Sequence, residues 1–173
     1  MRYFIRFSND CDVYSNSNIV TVSSMEKWFS DNVSPEWPKC RARLMRILQE
    51  EAELQEIVQL VGIDAGSTAD RITLEAARSV REDYLHQNAF HEVDTFSSMK
   101  KQFLLMKLVL EFYDKSIEAQ KNGASINSIL NIESREKIGR FKYVSEENIE
   151  AEYNNIVAQL EAETANLAGK EEA

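Results

Sequence analysis

The sequence predicts an all-α fold, a compact helical bundle from which an antiparallel helix–loop–helix projects. Three observations lead there. Only five glycines and two prolines occur in 173 residues, too little turn chemistry for a sandwich or barrel built from tight hairpins. From Ser24 onward, apolar residues recur at spacings of three and four. One long segment, around Phe103, Leu104, Leu105, Met106, Leu108, Val109, Leu110 and Phe112, is apolar on most sides, as the central helix of a bundle must be.

Residues 1–21 read as a separate leader. Met1 to Phe7 alternates aromatic and β-branched residues with arginine, the pattern of a short strand. Ser8 to Asn18 is rich in short polar side chains that bond their own backbone; the leader is expected to be a short strand or disordered. The remaining chain, 22–173, is expected to form one domain. A short helix around Met25 to Phe29 is followed by Ser34-Pro35-Glu36-Trp37-Pro38, where the prolines stop one helix and start the next. Leu44, Ile47, Leu48, Leu54, Ile57, Val58 and Val61 then form a core-facing stripe, with Glu50, Glu51, Glu53 and Glu56 expected to stay in water. Gly62 is placed to end that helix. The connector Ile63 to Ala69 leads into a helix from about Asp70 to Leu85, so that the pair presents an exposed tip.

After Gln87 the stretch Asn88 to Phe96 is irregular. A helix from about Ser98 to Asn122 follows, closed by Gly123. Ile126, Ile129, Leu130 and Ile132 suggest a short helix, and Arg135 to Phe141 another. Ser145 is the expected N-cap of the last helix, with Glu146 and Glu147 set against its dipole and Ile149, Tyr153, Ile156 and Leu160 as its apolar stripe. Eight glutamates against one lysine from Ser145 to Ala173 make its other face solvated. Trp28 and Trp37 are expected to anchor the core or the domain edge.

Composition narrows function. The formal charge of −9 and pI near 4.8 would repel a phosphate backbone, so nucleic acid is not the expected main partner. No apolar run approaches the roughly 18 residues of a membrane span, which reads as a soluble, acidic chain. Cys11 and Cys40 lack the paired spacing of a zinc site and read as two reduced thiols of a cytoplasmic protein. No glycine belongs to a G-x-x-x-x-G-K-[ST] phosphate loop or a G-x-G-x-x-G turn. His86 and His91, five residues apart, cannot share one helix face, so no metal site is expected. No nucleophile–base pair has a local signature, and no catalytic residue is assigned. Two regions stay open. Phe90 and Phe96, flanking the irregular segment, either plug the bundle or present a face to a planar ligand. The tip at Ile63 to Ala69 is either a plain loop or a contact surface.

Two long strings carry a resemblance. Gln49-Glu50-Glu51-Ala52-Glu53-Leu54-Gln55-Glu56-Ile57-Val58-Gln59-Leu60-Val61-Gly62 is followed in register by Arg81-Glu82-Asp83-Tyr84-Leu85-His86-Gln87-Asn88-Ala89-Phe90-His91-Glu92-Val93-Asp94-Thr95-Phe96. With Phe112-Tyr113-Asp114, Ile129-Leu130, Arg135-Glu136-Lys137-Ile138 and Lys142-Tyr143, the chain from about Val22 to about Ile156 resembles the C-terminal helical domain of the catalytic A (alpha) subunit of archaeal and bacterial V-type rotary ATPases. Met1 to about Val20 does not match.

The resemblance implies a helical domain under a P-loop domain, in a head where ATP turnover is coupled to a central stalk and to ion movement across a membrane. Its cofactor would be ATP or ADP with Mg2+, held by the parent complex rather than by these residues. The partners would be the N-terminal P-loop part of the same subunit, non-catalytic B subunits and central-stalk subunits, with the domain cytoplasmic and peripheral to the membrane. The isolated 173 residues would not hydrolyse ATP. Phe90 and Phe96 match the segment that places aromatic rings around the adenine. The tip Gly62 to Asp70, with Ile63, Asp64, Ala65, Gly66 and Ser67, matches the projection facing the central stalk. Ile63 stands where the family commonly has proline, and Gly66 adds a flexible position. The alternative is a stand-alone helical interaction module or assembly factor, docking on rotary ATPase subunits through its acidic last helix. A weaker one is a small nucleotide-binding protein using Phe90 and Phe96 alone.

Overall fold

The computed structural model describes residues 25–61 and 66–168. The leader, Cys11 and the tip residues Gly62, Ile63, Asp64 and Ala65 lie outside the described residues. Among the described residues seven α-helices follow one another: α1 over 25–32, α2 Trp37–Val61, α3 Thr68–Ser79, α4 Met99–Lys121, α5 Ile126–Leu130, α6 Glu133–Arg140 and α7 Ile149–Ala168. No strand occurs among the described residues.

α4 is the centre, packed against α2, α3 and α7. Leu105, Met106, Leu108, Val109, Leu110 and Phe112 are all buried, together with Ile156 and Leu160 of α7, which is why that segment is apolar all round. Gly123 has φ 95°. It lets Ala124 N–H reach the Ala119 carbonyl at 3.0 Å while its own N–H reaches Gln120 at 3.1 Å, a Schellman closure that a side chain at this position would strain.

The Pro35–Pro38 corner works as the sequence suggests. Trp37 is buried and stacks on Phe29 of α1, centroids 4.6 Å apart and planes 6° from parallel, and on Phe103 of α4 at 5.8 Å. Trp28 stands at the domain edge: it is 51% exposed, edge-on to Phe29 at 5.1 Å. Successive residues of α1 cannot both face α4, and Phe29 takes the inward direction.

α2 divides along its length. Leu44 and Ile47 are buried in the core, whereas Gln55, Glu56, Gln59 and Leu60 are exposed. Its second half therefore leaves the bundle and, paired with α3, forms the projection. One glutamate of the expected wet face is not wet. Glu51 is 6% exposed, accepting from Arg81 and, at 3.1 Å, from Gln55. A carboxylate enters that position because a guanidinium from the neighbouring element meets it there.

The helix expected from Asp70 to Leu85 has two parts. Ser67 and Asp70 form a capping box, Asp70 N–H to Ser67 Oγ at 3.2 Å and Ser67 N–H to Asp70 Oδ2 at 2.8 Å, fixing the start at Thr68. From Val80 to Leu85 the ladder widens to a π-helical turn, ending with His86 N–H on the Arg81 carbonyl at 3.0 Å. Below it Arg135 of α6 bridges Glu75 at 3.1 Å and Asp83 at 2.9 Å. The last helix starts at Ile149 rather than just after Ser145, whose Oγ instead accepts from the Asn148 side chain at 3.0 Å. Glu146 is drawn away from that helix: it accepts from Ser98 N–H at 3.0 Å and Ser98 Oγ at 2.7 Å, at the start of α4.

Candidate functional site

The segment joining the π-helical turn to α4 carries both phenylalanines, and its shape is set by polar side chains bonding its own backbone. Asn88 Oδ1 accepts from Phe90 N–H at 3.0 Å. Asp94, itself buried, accepts from Asn88 N–H through Oδ2 at 2.6 Å, while its carbonyl accepts from the Gln87 side chain at 2.6 Å. Thr95 Oγ donates toward the carbonyls of Ala89 at 2.8 Å and His91 at 2.6 Å. The His91 ring lies on Tyr143 with centroids 4.3 Å apart. Lys142 Nζ donates to the Glu82 carbonyl at 3.0 Å, tying the residues after α6 to the end of the π-helical turn. Irregular backbone is thereby held in one conformation without helix or sheet, since each short polar group satisfies a main-chain partner.

That scaffold holds its aromatic rings outward. Phe90 is 100% exposed and Phe96 72% exposed. Neither plugs the bundle. Two outward apolar rings on an internally bonded segment are costly to leave wet and suited to a flat partner. Phe96 also stands at the edge of a groove of about 630 Å³, lined among others by Phe29, Trp37, Tyr84, Met99 and Lys101. Burial pushes the Tyr84 phenol up to about 12. Lys101 is buried with Nζ donating to the Val144 carbonyl at 2.6 Å. Its wall mixes apolar side chains with polar and charged ones, among them Glu26, Arg41, Asp83, His86, Lys142 and Glu146.

Of the tip residues, Gly66 and Ser67 are described. Ser67 is committed to capping α3, a role its place before Asp70 already signals. Along the chain, α3 and the π-helical turn separate the tip from the two phenylalanines. Among the described residues no group of three or more His, Cys, Asp or Glu side chains could hold a metal ion, and no helix is long and apolar enough to cross a membrane. Sequence reading passed over His91, Asp94 and Thr95 as site-shaping residues; the available signal was Asn, His, Asp and Thr within eight residues lacking helical or strand periodicity.

Fold and segment together define an all-α domain, a helical bundle with a projecting hairpin and an exposed aromatic segment. The family model described as the C-terminal domain of V and A type ATP synthase matches residues 26–130. Relatives agree. The chain is 52% identical over 145 residues to a V-type ATP synthase alpha chain of Acetivibrio thermocellus, covering 84% of this chain and 25% of the relative. It is 48% identical over 146 residues to that of Clostridioides difficile, covering 84% and 25%. To that of Thermoanaerobacter pseudethanolicus it is 54% identical over 125 residues, covering 72% and 21%. The chain belongs to this family, as the C-terminal domain of the alpha, or A, subunit. It spans about a quarter of the length of these relatives.

Proposed function

We propose that these residues form the lower, rotor-facing portion of the ATP-binding subunit of a V-type ion-translocating ATP synthase or ATPase. The observation that carries this is the outward pair Phe90 and Phe96 on a segment stiffened by its own hydrogen bonds. In this reading the rings receive the adenine by stacking, worth about 1–3 kcal/mol per base. The phosphates and Mg2+ are held by the P-loop part of the subunit, so the 173 residues alone do not hydrolyse ATP. The groove beside Phe96 faces that P-loop part. The tip at Ile63, Asp64, Ala65, Gly66 and Ser67 meets the central stalk and moves with closure of the nucleotide pocket, a hinge-type coupling. B subunits flank the domain, and the assembly sits in a cytoplasmic head peripheral to the membrane.

The test is the mass of the native polypeptide in source cells, with an antibody raised against this domain. A band several-fold heavier than 19.9 kDa is expected, and in that polypeptide Phe90→Ala should weaken ATP binding about 5- to 150-fold. A band at 19.9 kDa alone, recovered with motor subunits, would replace this reading by a free-standing interaction module. Unchanged ATP affinity in Phe90→Ala and Phe96→Ala variants would remove the adenine role.

A further inference from the structure

His91 has a specific place in the aromatic segment. Its Nδ1 accepts from the backbone N–H of Val93 at 3.2 Å and of Asp94 at 3.3 Å. A backbone N–H can only donate, so this nitrogen is an acceptor and the ring proton sits on Nε2. The ring plane is braced by Tyr143 at 4.3 Å, and the His91 carbonyl accepts from Thr95 N–H at 2.9 Å and Thr95 Oγ at 2.6 Å. His91 thus bonds Val93, Asp94 and Thr95 through its ring and its carbonyl, between Phe90 just before it and Phe96 five residues after.

We propose that His91 is the positioning residue of the aromatic pair. Its imidazole acts as the side chain of Asn or Asp does in an Asx turn, closing the 91–94 turn so that Phe90 and Phe96 are held outward together. The inference rests on the reading that those rings meet a purine. The atom that matters is the acceptor bonded to Cγ, because Nδ1 of histidine and Oδ1 of asparagine occupy equivalent positions on their side chains. Size and ring stacking are separable from it: phenylalanine keeps a ring for Tyr143 and loses the acceptor.

The experiment compares the 173-residue chain with His91→Phe, His91→Ala and His91→Asn variants by amide hydrogen exchange. In both acceptor-free variants the Val93 and Asp94 amides should exchange about 10-fold faster, and the signals of the Phe90 and Phe96 rings should shift. His91→Asn should restore both. Amides of Leu108 and Val109 should exchange at the wild-type rate throughout, showing an intact bundle. Wild-type protection in His91→Phe, or no rescue by asparagine, would overturn the proposal. Titration of the wild-type chain with ATP at millimolar concentration, read at the ring signals, is the separate arm. Silent rings there count against the purine reading, whereas the exchange result alone decides whether His91 positions them.

Discussion

Two neighbouring regions of this domain are ordered by opposite means. Where α4 meets α7 and α6, order comes from apolar burial: Leu108, Phe112, Ile138, Ile156 and Leu160 interlock with almost no exposed area, and one guanidinium, Arg135, joins α6 to two carboxylates above it. In the segment from His86 to Ser98, order comes from hydrogen bonds that close on themselves, and its largest apolar side chains face water. In that part of the bundle the hydrophobic groups serve stability. The segment turns two largely exposed rings outward, and its backbone is held by Asn88, His91, Asp94 and Thr95.

Substitutions separate these two kinds of order. Leu108→Ala should remove about 3–4 kcal/mol of unfolding free energy, read by urea denaturation, because a fully buried central helix cannot collapse around the void. An effect below about 1 kcal/mol would mean that the bundle is far looser than its burial indicates. Arg135→Leu should cost about 3 kcal/mol in the same assay, since Glu75 and Asp83 would keep their charge and lose their shared partner.

Alkali gives a third test. Burial stabilises the neutral Tyr84 phenol and raises it to about 12, and Tyr153 is likewise raised, first by burial and then by its hydrogen bond to Glu111. Folded values above the unfolded one mean stability fully present below about pH 10 and lost as pH rises from there. For Tyr84 the loss should reach about 2 kcal/mol near pH 12, and Tyr84→Phe should remove that part of the slope. Thr95→Val acts in the other region. It should leave the global midpoint nearly fixed while amides of the 89–95 stretch lose about 1 kcal/mol of protection. Phe90→Ala should be smallest, within about 0.5 kcal/mol in stability, because nothing in the domain depends on a fully exposed ring. A large destabilisation by Phe90→Ala would erase the distinction between the two regions.

The resemblance to the family was readable in the chain because its two strings preserve order and spacing, and the family match over residues 26–130 agrees. What bore on the site was less legible. Phe90 and Phe96 stood out by being aromatic in a polar stretch, yet a ring in a loop can turn inward or outward without any change in pattern. His91 looked like a stray histidine, because its role depends on a turn that only folding creates. Glu51 and Glu146 misled for a related reason: the sequence shows a carboxylate's own element, not Arg81 or Ser98 arriving from another.

By itself the sequence determined the all-α class, the central apolar helix, the stop at Gly123 and the break between residues 86 and 98. These follow from periodicity and backbone permissiveness, which act over a few neighbouring residues. The tertiary structure alone decided which face of α1 turns inward, that the stretch before His86 widens to a π-helical turn, which carboxylates are buried, and that both phenylalanines point outward. The first three turn on partners distant in the chain and the last on a turn that only folding closes, and no local periodicity records either.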